Sequence, residues 1–178
     1  MNLTARRPYL LLTAAVIVLD QITKRLVATS VELHDSREIV SGLVSLTHVR
    51  NRGAAFGFLS NAEFPHQAIL FSLLSLVALG AIAVYSFRLP AAQRWAQLAL
   101  ALIMGGAVGN LIDRIAYGFV IDFVDVYWRG HHWPAFNVAD SCISIGVAML
   151  ILDLLRSPAE RPAAAEEPGA APTVPSGE

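Results

Sequence analysis

Residues Gln67 to Phe87 read QAILFSLLSLVALGAIAVYSF, without one charged side chain. A bilayer hydrocarbon core about 30 Å thick asks for ~20 predominantly apolar residues in helical form. At about 1.5 Å of rise per residue this stretch is long enough to cross it. Three more stretches of the same character lie outward from it: about Tyr9 to Val27, about Trp95 to Ile112 and about Val138 to Leu155. The whole chain agrees. It is 55% hydrophobic and only 15% charged, with a mean hydropathy of +0.54. A soluble domain carries about 25% charged residues, so the apolar excess here has to face lipid. The patterning predicts an all-α membrane protein of four transmembrane helices.

Arg6 and Arg7 followed by an apolar run to Leu19 also describe a signal peptide, with small residues Ala28 and Ser30 near a possible cut. Asp20, Gln21 and Lys24 interrupt where a cleavage region should be bland, and no lipobox cysteine follows. The stretch is therefore expected to stay as a membrane helix. A net charge of −1 offers no basic field for phosphate neutralisation, which argues against a nucleic-acid partner. The single cysteine, Cys142, permits no intrachain disulfide and reads as a small core residue.

Arg6 and Arg7, Arg88 and Arg94, and Arg156 and Arg161 flank the spans on one side by parity, which the positive-inside rule makes cytoplasmic. Both termini then lie in the cytoplasm. The other side also holds basic residues, Lys24, Arg25, Arg37, Arg50, Arg52, Arg114 and Arg129, but its loops are longer and contain Glu32, Asp35, Glu38 and Glu63. The first of these loops, about Ala28 to His66, is too long for a mere connector. Within it, Glu38 to Val49 is rich in Val, Leu and Thr with partial alternation, bounded by Gly42 and Gly53. That predicts two short strands, a small extracytoplasmic sheet inserted between helices 1 and 2 and lying on the membrane surface. Phe56, Phe58 and Phe64 are expected to dip into the interface. A second outer loop, about Ile115 to Asn137, carries Trp128 and Trp133, which favour headgroup depth. Residues 157–178, with Pro158, Pro162, Pro168, Pro172 and Pro175, form an expected disordered cytoplasmic tail beyond a membrane domain of residues 1–156.

Ionisable residues within or beside membrane spans are costly and are functional candidates by default. Asp20 and Lys24 lie near the outer end of helix 1, and Asn110, Asp113 and Arg114 near that of helix 3. Asp122 and Asp125 follow in the loop, and Asn137 and Asp140 begin helix 4. All fall on one side of the membrane. Simpler readings exist for most of them. Asp20 and Lys24 are spaced i,i+4 and so are suited to an intrahelical ion pair. Asn110 and Arg114, at the same spacing, suit the end of a helix. Asn137 and Asp140 have N-cap and N3 spacing behind Pro134. Gly105, Gly106 and Gly109 suit close helix packing. His131 and His132 lack a spacing that suggests a metal site.

Two acids resist such accounts. Asp122 sits in the apolar run Phe119 to Val124 with no adjacent base, and Asp140 opens a helix that otherwise faces lipid and bundle. Should the loop bring Asp122 to face Asp140, the two carboxylates would repel, share a proton and titrate as one unit, an acid and a base in one site.

At these residues the chain resembles the lipoprotein signal peptidases, the type II signal peptidases of bacteria. The resemblance rests on Asp20 to Lys24 (DQITK), Asn51 to Gly57 (NRGAAFG), Gly109 to Arg114 (GNLIDR), Val120 to Phe123 (VIDF) and Phe136 to Ser141 (FNVADS), five blocks in order over nearly the whole membrane domain. It implies a membrane aspartic protease with its catalytic pair at Asp122 and Asp140. It also implies supporting roles for Asp20, Lys24, Asn51, Gly53, Asn110, Asp113, Arg114 and Asn137, and a lid and sheet built from the loop between helices 1 and 2. The implied substrate is a diacylglyceryl-modified prolipoprotein, cut just before its lipidated cysteine in the bacterial inner membrane. The implied inhibitor is globomycin. Membrane lipids are expected neighbours, no metal or other cofactor is required, and a fold this small can work as a monomer.

A rival reading is a small ion-coupled transporter with Asp20, Asp113, Asp122 and Asp140 as a proton relay. Four spans are few for that, no internal repeat is visible, and no acid lies between Trp95 and Met104 to carry protons inward. A membrane scaffold that binds a partner through its outer loop leaves the buried Asp122 unexplained.

Overall fold

The structure, a computed structural model, describes residues 3–53 and 67–156. Among these residues the chain forms four long helices, α1 (Leu3–Ser30), α2 (Gln67–Arg88), α3 (Arg94–Tyr117) and α4 (Val138–Arg156). Strands β1 (Ser36–Val40) and β2 (Val44–Asn51) follow α1, and β3 (Val120–Trp128) and β4 (His131–His132) follow α3. Three helices, α2 from Ile69, α3 and α4, are long and apolar enough to cross a membrane. The first is 28 residues long but carries Arg6, Arg7, Asp20, Lys24 and Arg25 along its length.

The middle of the bundle belongs to α3. About 56% of its span is buried, against 6% for α2 and 17% for α4, so α2 and α4 present most of their surface outward. Leu73, Val77, Ile115 and Leu154 are among the large apolar side chains left exposed, the residue types a lipid-facing surface requires. Glycines let the neighbours approach α3. A Cβ at Gly105 would stand 2.7 Å from the Val16 side chain of α1, and one at Gly106 would collide with the Ala139 carbonyl of α4. At Gly109 a Cβ would lie 2.5 Å from the Asp20 carboxylate. The expected packing role of this glycine stripe is thus realised, and Gly146 on α4 adds a matching notch against Ala99 and Ile103.

At one end, the guanidinium of Arg6 donates to the carbonyls of Ser86, Phe87 and Leu89, satisfying orphan acceptors where α2 stops and placing a cation at its negative end. Gln97 donates to the Ser86 and Leu89 carbonyls from α3. At the other end, Gly118 closes α3 in the left-handed conformation, its N–H bonded to the Arg114 carbonyl. The expected end of helix 3 near Ile112 falls short: the helix runs to Tyr117, so Asn110 and Arg114 lie within it.

The strands form one antiparallel array in the order β1-β2-β3-β4. The two strands expected between helices 1 and 2 are present, turning at Gly42. The second loop, about Ile115 to Asn137, in which no strand was expected, supplies the longest strand described. Val120 to Trp128 is rich in β-branched and aromatic residues, and it ends at a turn whose Arg129 and Gly130 both have positive φ. After β4 the chain runs back along β3, Phe123 and Val124 N–H donating to the Phe136 carbonyl and Phe136 N–H to that of Val124. This return strap puts Asn137, the residue before α4, next to Asp122. Val27, Val31 and Phe123, with Leu46, Val124 and Val138 against them, form the apolar cluster that seats the sheet on the ends of α1 and α4. Each fully buried side chain of this kind contributes roughly 1.5–3 kcal/mol. Trp128 and Trp133 are exposed on the β3–β4 hairpin. Phe56, Phe58, Phe64 and the tail of residues 157–178 lie outside the described residues.

Candidate active site

All ten residues singled out in the sequence as site candidates lie near one another, where the sheet meets α1, α3 and α4. Asp122 comes from β3 and Asp140 from the first turn of α4, and they are 2% and 5% exposed. Asn137, fully buried, connects them. Its side-chain amide donates to Asp122 Oδ1 at 2.7 Å, and its backbone N–H donates to Asp140 Oδ2 at 3.3 Å. The remaining oxygens are also occupied: Asn51 Nδ2 donates to Asp122 Oδ2 and Asn110 Nδ2 to Asp140 Oδ1, each at 2.9 Å. All four carboxylate oxygens accept an N–H. Among the described residues no cation lies within ion-pair distance of them, although the Arg114 and Lys24 charges act on the pair from further off.

The N-cap reading of Asn137 and Asp140 holds as geometry too. Asp140 N–H donates back to Asn137 Oδ1 at 2.9 Å, which makes the pair a reciprocal capping box. The amide between them, Ala139 N–H, is taken by Asp20 Oδ1 at 2.9 Å. The first amides of α4 are therefore spent on Asp20 of α1 and on the Asn137 side chain, while Asp140 accepts from the Asn137 N–H, and this fixes where Asp140 points.

Behind the pair lies a second charged cluster. Lys24 Nζ is 2.8 Å from Asp20 and 3.1 Å from Asp113, and it donates to Asn110 Oδ1 at 2.8 Å. The intrahelical Asp20–Lys24 pair is present but is only half of a larger junction. Through Asn110 the ammonium reaches Asp140, because that amide accepts from Lys24 on its oxygen and donates to Asp140 through its nitrogen. Asp113 also accepts the Ile121 backbone N–H at 3.2 Å, fixing the strand one residue before Asp122. Gln21 bridges Asp113, the Gly109 carbonyl and Asp20. Its place beside Asp20 on α1 was the sole sequence signal for it, and it was not among the expected site residues.

Arg114 stands to one side, donating through Nη2 to the Gly53 carbonyl at 3.1 Å. Gly53 N–H in turn donates to Asn51 Oδ1 at 2.9 Å, so Arg114 steadies the turn that presents Asn51 to Asp122. Asp125 takes no part: it pairs with the exposed His132 at 2.9 Å. Among the described residues no group of three His, Cys, Asp or Glu side chains is placed to hold a metal ion.

Electrostatically the two clusters differ. Burial pushes the Asp122 carboxyl up from 3.8 to about 7, and the neighbouring Asp140 charge adds to that rise against the hydrogen bonds from Asn51 and Asn137. A carboxyl held near neutrality beside a second one can keep a proton while its neighbour stays ionised. Together such a pair can both withdraw a proton from water and donate one to a carbonyl or a leaving amine.

Comparison with known proteins places the chain in a family. The family model for signal peptidase (SPase) II matches residues 12–156. The lipoprotein signal peptidase of Geobacter metallireducens is 53% identical over 150 residues, covering 84% of this chain and 91% of the relative. That of Geobacter sulfurreducens is 54% identical over 140 residues, 79% and 86% of the two chains. That of Syntrophus aciditrophicus is 42% identical over 153 residues, 86% and 95%. A bacterial membrane enzyme solved by the in meso method at 1.9 Å superposes with a TM-score of 0.75 at 33% identity, covering 85% of this chain and 94% of that one.

Proposed function

This chain belongs to the signal peptidase II family of proteases, and from that premise we propose that it cuts diacylglyceryl-modified prolipoproteins before the lipidated cysteine with Asp122 and Asp140 as its catalytic pair. The observation that carries the assignment is the buried Asn137, bonded at once to Asp122 through its side chain and to Asp140 through its backbone. Elsewhere in the described residues the buried aspartates, Asp20 and Asp113, have a cation against them. The pair with no cation at ion-pair distance among the described residues is therefore the one able to trade protons.

In the proposed reaction one aspartate, ionised, takes a proton from water as the water attacks the scissile carbonyl. The other, protonated, hydrogen-bonds the carbonyl oxygen and later protonates the leaving amine. The two titrate together, so the roles belong to the pair. Asn51 and Asn137 orient Asp122 without adding charge, and Asn110 does the same for Asp140. Low polarity around the pair strengthens each of these contacts. Asp20, Lys24 and Asp113 act as the frame, and Arg114 with Gly53 holds the turn carrying Asn51. The chemistry needs no metal.

The membrane placement that suits this reaction has α1 as the fourth spanning helix, its charges spent inside the bundle at Asp113 and Asn110 or at the ends. Residues 1–156 then form the peptidase domain, working as a monomer, and residues 157–178 a cytoplasmic tail. Both termini face the cytoplasm, the sheet rests on the outer surface of the inner membrane, and globomycin competes with the substrate. A lipid-anchored substrate presents its peptide bond just above the hydrocarbon, the level at which α3 and α4 hand over to the sheet.

The test is cleavage of a diacylglyceryl-modified prolipoprotein, read by gel shift, with wild type, Asp122→Asn and Asp140→Asn. Wild type is expected to cut and both variants to fail while remaining in the membrane. Cleavage surviving in both variants would remove the dyad from the mechanism. Failure of the wild type on a substrate cut by an established peptidase would remove the substrate assignment.

A further inference from the structure

On the far side of the sheet from the aspartate pair lies a cavity of about 310 Å³, lined by Gln21, Lys24, Arg25 and Ala28 of α1, His48 and Arg50 of β2, and Asp113, Tyr117, Phe119 and Ile121. Its position follows from strand alternation. Arg50 is the register partner of Ile121, whereas Asn51 and Asp122 belong to the alternate positions, so the two sets of side chains point to opposite faces. The C-terminal parts of α1 and α3 bound it, Tyr117 being the final residue of the α3 span, and the proposed membrane placement puts this level where hydrocarbon gives way to headgroups. Ile22 and Leu26, beside Arg25 on α1, are each more than half exposed, so the helix face next to the cavity is apolar and accessible.

The charges around it are unevenly spent. Lys24 and Asp113 neutralise each other at 3.1 Å, and Gln21 is committed to Asp113 at 2.9 Å. Arg25 and Arg50 have no carboxylate within ion-pair distance among the described residues. The Arg50 guanidinium rests on the Phe119 ring at 4.7 Å. His48, buried, donates Nδ1–H to the Val31 carbonyl at 3.0 Å, and its Nε2 has no hydrogen-bond partner among the described residues. Two uncommitted guanidinium groups, an unpartnered imidazole nitrogen and an aromatic wall at interfacial depth form a recess for a hydrogen-bonding anion attached to something apolar.

We propose that this cavity is a phosphate site that holds the headgroup of an anionic phospholipid of the outer leaflet, with Arg25 and Arg50 on the phosphate and Ala28, Phe119 and Ile121 against the glycerol and upper acyl region. Guanidinium groups suit phosphate because their planar donors reach two oxygens at once. A lipid seated there would brace α1 against β2 and β3, from behind the strand that carries Asp122. The site rests on the proposed membrane placement but not on the aspartate pair, so its loss and a failed dyad are read in separate assays.

The experiment is native mass spectrometry of the full chain in detergent, with added phosphatidylglycerol or phosphatidylcholine of identical acyl chains. Wild type is expected to retain phosphatidylglycerol about 25-fold better, and Arg25→Gln/Arg50→Gln to lose that preference, since each of the two interfacial arginines contributes on the order of a fivefold factor. Arg37→Gln, an exposed arginine of β1 outside the cavity, should keep it. Ala28→Phe, which fills the cavity and leaves both arginines, should weaken retention without a change in charge. Inorganic phosphate is titrated in parallel. If it binds alone with the same arginine dependence and the lipid preference is absent, the phosphate chemistry stands and the lipid source is overturned. A wild type with neither lipid preference nor phosphate binding, or a preference that survives loss of both arginines in a protein of unchanged melting temperature, overturns the site.

Discussion

Two acidic clusters lie within one hydrogen-bonded network, and they are built on opposite principles. In the first, Asp20 and Asp113 close on Lys24, which is 2% exposed, so two carboxylates share one cation where water is excluded. In the second, the hydrogen bonds described to Asp122 and Asp140 all come from amides, with the Lys24 and Arg114 charges beyond ion-pair distance. A buried carboxylate held against an ammonium has a fixed partner and serves as a strut. One beside another carboxylate, with neutral donors alone, is held between its two protonation states. Asn110 is the hinge between the two designs, accepting from Lys24 and donating to Asp140.

Breaking each cluster separately should therefore give opposite phenotypes. The largest expected effect is on turnover: Asp122→Asn or Asp140→Asn lowers cleavage by roughly 10³-fold or more, as loss of a central catalytic group does. The melting temperature in detergent should move little, because a neutral isostere at either position leaves no stranded ion. Lys24→Ala should do the reverse. It leaves two buried carboxylates without their cation, a change that typically costs about 3–5 kcal/mol. Folded yield and melting temperature should drop, with activity per folded molecule falling far less. Full expression with lost turnover would move Lys24 into the chemistry.

Gly109→Ala sharpens the comparison from the packing side. Its Cβ would lie 2.5 Å from Asp20 Oδ2, pressing on the ion cluster and not on the aspartate pair. A loss of about 1–3 kcal/mol in thermal or denaturant stability is expected, the usual range for overpacking. The pH dependence separates the clusters more gently. Asp122 is raised from 3.8 to about 7, so between those values the folded protein holds more protons than the unfolded chain. Its contribution to stability is present at low pH and lost as pH rises toward 7. The wild-type melting temperature should fall from pH 5 to pH 8 more steeply than that of Asp122→Asn. Cleavage should decline above neutrality as the pair loses its shared proton. The smallest effect is none: EDTA should leave turnover unchanged, and loss restored by a divalent metal would overturn the metal-free mechanism.

Much of this arrangement was legible in one dimension. Long runs such as Gln67 to Phe87 have few folds open to them, because a backbone in lipid must bond to itself. The helix boundaries of α2 and α4 accordingly fall within a residue of expectation. Asp122 stood out because an acid in Phe119 to Val124 has no local partner. The strand that carries it was missed, although Val120 to Trp128 has strand composition between Gly118 and Gly130. A short apolar run between two helices does not announce its partner, and β2 lies some seventy residues upstream. For the same reason the pairing of Asp20 with Lys24 could be anticipated from i,i+4 spacing, whereas Asp113 and Gln21 joined it only through the contact of α1 with α3.

The sequence by itself determined that this chain is built on long apolar helices of membrane-protein character, and which residues are too polar for such surroundings. Hydrophobic length and the cost of unpaired charge act locally, so they can be read locally. Tertiary structure decided which acids share a cation and which share only amides. That depends on α1 touching α3 through Gly105 and Gly109, and on the strap from His131 to Phe136 returning along β3 to deliver Asn137 between the two carboxylates. Contacts between residues far apart in the chain are fixed by packing as a whole, and no window of the sequence contains them.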